Sequence, residues 1–263
     1  MSESVRAVDR ALDVLLCFTK QTPELTMTQI ADMVGIHKST AHRLLATLEQ
    51  RRFIQRDQDT GFYRLGIRLV QMAYLTLEQN DLRRLAAPFM HRLCDLYEEN
   101  IDLAVLDDND VVFINIFEGS HRVKLAAAIG QRLPAFATAS GKAILGFLPE
   151  KKVRQIMEKG MPQLTPYTLS TSEGLIENLA TVRQRGFAVS EQELEEQINA
   201  VSAPIFDQDK NPIASIAVAG PAYRLPLERM LTIAPNLVAT ANEISQEIRF
   251  SVFPLSPPTA PVP

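Results

Sequence analysis

The chain has 263 residues, which corresponds to one large domain or two domains of ordinary size. Its 46% hydrophobic and 22% charged residues are typical of a globular protein and exclude a disordered chain. The 27 basic and 31 acidic residues give a formal net charge of −4, and an acidic balance argues against a nucleic-acid-binding protein, whose usual sign is a basic surface. An average over the whole chain can hide a basic segment, so the distribution of charge decides this question.

The two cysteines, Cys17 and Cys94, are too few for a disulfide framework or a cysteine-rich zinc site. Both lie in apolar helical patterns, so we expect small buried hydrophobic side chains rather than reactive thiols. The N-terminal residues carry charges throughout and lack the apolar core of a signal peptide. No run of about 18 or more apolar residues could span a membrane. We therefore expect a reduced, soluble, cytoplasmic protein without a metal, a cofactor or a membrane partner.

The first part of the chain predicts two helices separated by a turn. Apolar residues at helical spacing predict a helix over 5–18, and residues 21–24 are typical of a turn. A short helix capped by Thr26 or Thr28 follows. It ends at Gly35, because a sharp bend needs a residue that tolerates positive φ.

A third helix and a hairpin complete this part. The helix begins near Lys38 or Ser39, and its apolar residues recur in steps of three and four up to Leu48. Two short strands at 53–54 and 62–65 then flank a polar turn. A short helix, a glycine turn and a second helix form the helix-turn-helix unit, and the hairpin would supply its wing.

The remaining residues predict a helical linker and an α/β sensor-like domain. Residues 66–80 and 81–98 have helical periodicity, and Pro88 must kink the second segment or mark a new helix. From residue 100 the apolar period becomes two, which is typical of strands. The predicted strands are 101–105, 111–117, 123–129, 187–189, 200–206 and 213–219, and the predicted helices are a short one before Pro149, then 150–159, 173–185 and 226–250. Pro235 weakens the expectation that the last helix is continuous, and the proline-rich tail is predicted to be disordered.

The basic residues are concentrated where the helix-turn-helix is predicted. Residues 27–56 hold five Lys or Arg against two Asp or Glu, whereas residues 66–263 hold 18 against 23. The second helix of such a unit presents its N-terminal residues to base edges in the major groove. The candidate DNA contacts are His37, Lys38, Ser39, Thr40, His42 and Arg43 on this helix, Arg56 and Arg64 on the wing, and Arg10 on the first helix.

These residues allow more than one role. Lys and Arg suit guanine, and the Thr methyl suits the thymine methyl, whereas Ser39 and Thr40 could equally bind phosphates. The alternative is a solvated helix face, which the complete helix-turn-helix and wing order disfavours. His37 and His42 could form a metal pair, but no cysteine or carboxylate cluster completes such a site.

Several ordered segments resemble the IclR family of bacterial transcriptional regulators over about residues 4–250. In the N-terminal part they are RAVDRALDVLLCF, TMTQIADMVGIHKSTAHRLLATLEQRRFI and YRLG. In the C-terminal part they are LPAFATASGKAILGFLP, RGFAVSEQELEEQINAVSAPIFD and ASIAVAGP. The resemblance implies an α+β chain with a winged helix-turn-helix domain at 1–65, a linker helix at 66–80, a GAF-like α/β effector domain at 81–250 and a tail at 251–263. It also implies a homodimer or homotetramer that binds a pseudo-palindromic operator in double-stranded DNA and regulates a catabolic operon.

The effector site is expected where Thr138, Ala139, Ser140 and Gly141 open a helix. Hydroxyls, N–H groups and the positive end of the helix dipole suit a carboxylate, although simple N-capping explains Thr138 or Ser140 equally well. The motif is not a phosphate-binding loop, because the first glycine of that loop is missing.

The resemblance also implies an effector pocket and shows where this chain departs from its relatives. The implied positions are Leu125, Ala139, Ser140, Ser190, Ala200, Ala217 and Ala219. Family members often have polar or thiol residues at the last three positions, an acid at Ser190 and a glycine at Gln197. The departures predict a roomier, more apolar pocket, so we expect an aromatic or larger organic acid rather than a two-carbon acid.

Two other functions remain as alternatives. An enzyme with an attached DNA-binding arm is disfavoured, because neither a nucleophile elbow nor a Ser/His/Asp set is apparent, and we expect no catalytic residues. A winged-helix sensor that acts through protein contacts would differ from a regulator in a gel-shift assay.

Overall fold

The fold is described from a computed structural model, in which residues 5–19, 21–78 and 81–250 are described. The chain divides into two compact units, Met1–Gln79 and Asn80–Pro263. The tail predicted at 251–263 lies outside the described residues. Within those residues, no helix is both long enough and apolar enough to cross a membrane.

The N-terminal unit combines helices with a small antiparallel sheet. Its elements are α1 (Arg6–Leu16), β1 (Glu24–Leu25), α2 (Met27–Val34), α3 (Lys38–Gln50), β2 (Ile54–Arg56), β3 (Tyr63–Leu65) and α4 (Ile67–Glu78). The three strands are ordered β1-β3-β2. The helix, turn, helix and hairpin predicted from the sequence are confirmed. Glu24 belongs to a two-residue strand rather than to the predicted turn, and so short a strand has no periodicity to reveal it.

Local side chains explain where α2 and α3 begin and end. Thr26 caps α2 in a capping box, since Gln29 N donates to its hydroxyl at 3.3 Å and Thr26 N donates to Gln29 Oε1 at 2.8 Å. Gly35 ends α2 with φ of 68°, as the sequence predicts. His37 then caps α3.

Two faces of α1 are apolar, and only one of them is buried. Val14 lies in the core of the unit with residues of α2, α3 and the sheet. On the other face Val8, Leu12 and Leu16 are 53–75% exposed. This exposed set, together with Val5, is named the α1 stripe below.

The C-terminal unit contains one six-stranded sheet and helices on both of its faces. Its elements are α5 (Asp81–Tyr97), β4 (Asn100–Asp107), β5 (Asp110–Phe117), β6 (Arg132–Pro134), a 3₁₀ turn (Ala135–Ala137), α6 (Ala139–Leu145), α7 (Glu150–Met157), α8 (Ser172–Arg185), β7 (Ala188–Glu191), β8 (Ile198–Phe206), β9 (Pro212–Pro221) and α9 (Leu227–Phe250). The strand order is β6-β5-β4-β9-β8-β7, and every pairing is antiparallel.

Alternation along the strands separates two apolar cores. Leu103 and Ile216 point to the face covered by α5 and α9, where the larger core lies. Ala104 and Phe113 point to the opposite face, which packs with α6, α7 and α8. Because helices cover both faces, residues that alternate with the apolar ones are buried as well.

Both helix-interior prolines lie in continuous helices. Pro88 lies inside α5, and Pro235 lies inside α9. The rings of both residues are exposed, so the carbonyls that lose their helical partner are on the solvent side and can bind water. Neither proline therefore marks the start of a new helix, and the doubt about the continuity of the last helix is removed.

The strand predicted at 123–129 is wrong, because this segment has no ladder pairing. Side chains bind its backbone instead. Arg224 donates to Val123 O at 2.9 Å, Asn100 donates to Leu125 O at 3.2 Å, and Ala128 N donates to Gln131 Oε1 at 3.1 Å. Leu125 and Ala127 are half-buried but Val123 is 62% exposed, so the apolar alternation of this segment does not mark a strand. The strand that pairs with β5 at the edge of the sheet is β6 instead.

Candidate DNA-binding surface and ligand cavity

The outer face of α3 is polar and basic. Lys38, Ser39, His42 and Arg43 are exposed, whereas Ala41 and Leu45 are fully buried in the unit. This split follows from the helical repeat, since residues three and four apart share a face. His37 is exposed as well, so five of the six predicted contacts on α3 and its cap are exposed.

His37, Ser39 and Thr40 at the start of this helix are partly engaged within the protein. His37 Nδ1 lies 2.9 Å from the Ser39 hydroxyl and also accepts from Ser39 N at 3.4 Å. Thr40 is half-buried. His37 therefore orients the first turn of α3, and its role as a DNA contact stays a prediction.

The wing carries the other predicted cations. Arg64 on β3 is exposed, and the Arg56 guanidinium lies 5.7 Å from the centre of the Tyr63 ring. Asp57 shapes the turn by accepting from Asp59 N at 3.0 Å and Thr60 N at 2.9 Å, and the Thr60 N–H lowers the pKa of this carboxyl. Arg10, on α1, is half-buried.

A cavity of about 510 Å³ lies in the C-terminal unit between the sheet and α6. This volume is within the range of roughly 300–1,000 Å³ typical of small-molecule sites. The lining residues are Asp102, Phe113, Lys124, Leu125, Ala126, Ala127, Gln131, Leu133, Thr138, Ala139, Ser140, Ser190, Leu194, Glu195, Ile198, Asn199, Ala200, Ala217 and Ala219. Alanines of β8 and β9 form part of its floor, which explains why a cavity remains there.

The structure brings together nearly all residues predicted for the effector site. Those lining the cavity are Leu125, Thr138, Ala139, Ser140, Ser190, Ala200, Ala217 and Ala219. Gly141 is buried behind the wall and does not line it. A Cβ at Gly141 would lie 2.1 Å from Ala135 O, so this glycine permits close packing of α6 on the 3₁₀ turn.

Two of the lining hydroxyls already have protein partners. Thr138 accepts from Gly141 N at 3.0 Å and thereby caps α6. This is the N-capping role that the sequence allowed as an alternative to ligand binding. Ser190 donates to Ala137 O at 3.1 Å. Among the described residues, no such bond is formed by the Ser140 hydroxyl.

Asp102 is the buried carboxylate among the lining residues that the sequence did not predict. In the sequence it is a polar residue of an alternating strand, and it is not among the residues predicted for the effector site. Its side chain is instead almost fully buried, at 3% exposure, and burial raises the pKa of its carboxyl to about 7. A strand in a sheet covered on both faces is the pattern that could have revealed it.

An ion pair supports the 123–127 wall of the cavity. Arg224 forms a two-pronged pair with Glu99 at 2.7 and 2.8 Å, and Glu99 is only 2% exposed. The same guanidinium binds Val123 O. Paired, hydrogen-bonded charges of this geometry are among the stronger polar contacts in proteins. The cavity wall is therefore tied to the ends of β4 and β9.

The loop between β7 and β8 forms the opposite wall and is anchored by buried groups. Glu193 pairs with Lys142 of α6, which is fully buried, and burial lowers the pKa of Lys142 and raises that of Glu193. The Thr168 hydroxyl donates to Glu193 O at 2.6 Å. The loop that contributes Leu194 and Glu195 to the cavity is thus connected to α6.

The cysteines and potential metal ligands do not form a further site. Cys17 is buried, Cys94 is half-buried, and burial raises the pKa of both thiols. Across 5–19, 21–78 and 81–250, no three His, Cys, Asp or Glu side chains converge as a metal site would require.

These two units define a DNA-binding regulator, with a winged helix-turn-helix at one end of the chain and a separate α/β domain after it. The chain belongs to the IclR family of bacterial transcriptional regulators. The IclR helix-turn-helix domain matches residues 7–58, and the bacterial transcriptional regulator IclR C-terminal domain matches residues 74–246. The resemblance and the mixed α+β fold class inferred from the sequence are confirmed.

Similar proteins support this membership over nearly the whole chain. The regulator XynR of Escherichia coli is 32% identical over 82% of this chain and 86% of its own length. KipR of Bacillus subtilis is 29% identical over 95% and 100%, and the transcriptional repressor IclR of Escherichia coli is 28% identical over 92% and 89%.

Solved structures have the same fold. An IclR regulator from Alicyclobacillus acidocaldarius matches with a TM-score of 0.83 at 26% identity, covering 94% of this chain and 100% of that one. An IclR homologue from Microbacterium hydrocarbonoxydans, complexed with 4-hydroxybenzoate, matches with a TM-score of 0.80 at 25% identity over 92% and 99%.

Proposed function

We propose that this regulator is a repressor of a catabolic operon and that an organic acid, aromatic or larger than two carbons, releases it from DNA. The observation that carries the proposal is the cavity of about 510 Å³, whose floor includes Ala200, Ala217 and Ala219. A two-carbon acid would leave most of this volume unfilled, whereas a ring would contact the apolar lining. The similar Escherichia coli protein is named as a repressor, which supports the repressor role. The homologue complexed with 4-hydroxybenzoate supports the aromatic-acid effector.

The proposed DNA contacts are those on the exposed face of α3 and on the wing. In this proposal Lys38, His42 and Arg43 read bases or bind phosphates in the major groove, and Arg56 and Arg64 bind the backbone beside it. Ser39 and Thr40 bind phosphates at the start of the helix, and Arg10 adds a weaker contact. The protein is proposed to act in the cytoplasm, where bacterial DNA lies, and to catalyse no reaction.

The proposed assembly is a homodimer on a pseudo-palindromic operator, with a tetramer as a further association. The α1 stripe supports it, because four apolar side chains on one helical face remain more than half exposed. A second copy of the same stripe would cover them in a two-fold contact. Two half-sites read together would also strengthen the modest affinity of one winged helix.

A thermal-shift screen of the full chain against small acids and aromatic metabolites tests the effector class. A ligand that binds the folded state raises the apparent Tm by mass action. The same compound should then release the protein from the upstream region of its own operon in a gel-shift assay. Tight binding of glyoxylate or pyruvate without any response to aromatic acids would overturn the effector class, and failure to retard DNA would overturn the regulatory role.

A further inference from the structure

We propose that Asp102 is a specificity-determining residue, which selects a ligand that carries a hydroxyl or N–H group in addition to its acidic group. The inference rests on the proposed function, since it assigns one contact within the proposed effector cavity. It narrows the ligand class from aromatic or larger acids to hydroxy- or amino-substituted ones.

The position of Asp102 in the sheet aims it at the cavity. It lies in the middle of β4, paired with Ile116 of β5 on one side and Ala217 of β9 on the other. Ala217 lines the cavity beside it. Its neighbours along the strand, Ile101 and Leu103, belong to the core on the other face of the sheet. The carboxyl group is therefore on the cavity face of a central strand.

The carboxyl group lacks a partner within the protein. Oδ1 of Asp102 is fully buried and accepts no hydrogen bond from any group in the described parts of the chain. Burial raises the pKa of this carboxyl to about 7. An unpartnered buried acceptor is costly, and Asp102 lines the cavity, so a ligand donor that reaches this carboxyl group would offset the cost.

Several donors around the cavity are engaged elsewhere, and in the described parts of the chain neither the Ser140 hydroxyl nor the Gln131 amide, which also line the cavity, donates to Oδ1 of Asp102. Lys124 pairs with Glu118 at 2.5 Å, Ser190 donates to Ala137 O, and Asn199 Nδ2 donates to Leu225 O at 2.9 Å. The floor residues next to Asp102 are alanines, which have no side-chain donor. A hydroxyl or N–H of the ligand can therefore supply the donor that Oδ1 of Asp102 lacks.

The same carboxyl group dictates how an acid would lie. Above about pH 7 the Asp102 carboxyl group is ionised, and two carboxylates in contact within a low-dielectric site repel each other. Above this pH the acidic group of the ligand must therefore point away from Asp102, and its hydroxyl or amino group must point towards it. Such a ligand has its two polar groups at opposite ends of an apolar body, which the alanine and leucine lining would contact.

Matched pairs of ligands test this inference on the full chain. The probes are benzoate and 4-hydroxybenzoate, phenylacetate and 4-hydroxyphenylacetate, and cinnamate and 4-hydroxycinnamate, measured by thermal shift and calorimetry above about pH 7, where Asp102 is ionised. In at least one pair the hydroxylated member should bind about tenfold to a hundredfold more tightly than its parent, because only it satisfies the buried acceptor. In Asp102→Ala this preference should vanish.

A matched control separates this effect from a general change in the sheet. Ser215 on β9 is also buried with an unpartnered hydroxyl, but it does not line the cavity. Ser215→Ala should keep the preference for the hydroxylated member.

The outcomes distinguish this inference from the proposed function. Equal binding of both members, or a preference that survives in Asp102→Ala, would overturn the role of Asp102 and leave the aromatic-acid regulator intact. If no member of any pair binds, the proposed ligand class and this inference are both wrong.

Discussion

At the scale of single residues, Asp102 makes the stability of the chain depend on pH. Its pKa rises from 3.8 to about 7 on burial. Between about pH 4 and pH 7 the folded chain keeps the proton while the unfolded chain has lost it, so the free energy of unfolding falls as pH rises through this window and levels off above it. The cost of ionising the buried group is on the order of 4 kcal/mol at most.

Asp102→Asn should remove this pH dependence, because the amide does not titrate. We expect the difference between the Tm of the variant and the Tm of the native chain to increase in favour of the variant from about pH 5 to pH 8. Calorimetry without ligand measures both Tm values. Asp209→Asn, which changes an exposed carboxylate, is the control. A native chain whose Tm tracks that of Asp102→Asn across the range would contradict the pKa shift.

At the scale of elements, Gly141 determines how α6 packs on the 3₁₀ turn. In Gly141→Ala the new methyl group would meet the backbone of Ala135, with O at 2.1 Å and Cα at 2.4 Å. Backbone atoms cannot rotate away, so we expect a loss of about 1–3 kcal/mol or more in unfolding free energy. Chemical denaturation measures it.

Gly174→Ala is the matched control for this substitution. Its new methyl group would meet the Thr171 hydroxyl, which caps α8, at 2.9 Å, so the substitution should cost no more than the loss of that cap, about 1 kcal/mol. Equal losses in the two variants would show that the close approach of α6 is not what requires Gly141.

The α1 stripe gives a second prediction at this scale. Leu12→Glu places a charge in the centre of the stripe, where Leu12 is 53% exposed, so it should turn the proposed dimer into a monomer without unfolding the unit. Analytical ultracentrifugation measures the change. Met33→Glu on α2, at 55% exposure, is the control and should stay dimeric. A dimer that persists in Leu12→Glu would mean that the contact lies elsewhere.

At the scale of the whole molecule, the net charge of −4 conceals a basic recognition surface. Lys38→Ala combined with Arg43→Ala should weaken operator binding and reduce the salt slope of log K by about 1 for each lost phosphate contact. Gel-shift titrations at several salt concentrations measure both quantities. Lys151→Ala with Lys152→Ala, two exposed lysines of α7, should leave them unchanged. If the first pair behaves like the second, α3 is not the recognition helix.

Sequence patterns predicted the parts of the molecule that depend on local rules. The Thr26 cap, the positive φ of Gly35 and the alternation of β4 each follow from neighbouring residues, and the expected effector site included eight of the residues that line the cavity. Three features escaped prediction because they depend on distant contacts. Asp102 is buried only because α6 covers its face, residues 123–129 leave the ladder because Asn100 and Arg224 bind them, and the outer face of α1 is not covered within its own unit.

The irregular wall at 123–129 has a consequence for how such a cavity can change over evolution. A residue inserted in a strand moves every later side chain to the other face of the sheet. This wall is outside the ladder and is attached at Val123, Leu125 and Ala128 by individual side chains, so its length and contents can vary between those points without shifting any strand. One sheet can therefore support cavities of different shape, and a family with this architecture can acquire new ligands by altering one loop while its DNA-binding unit stays the same.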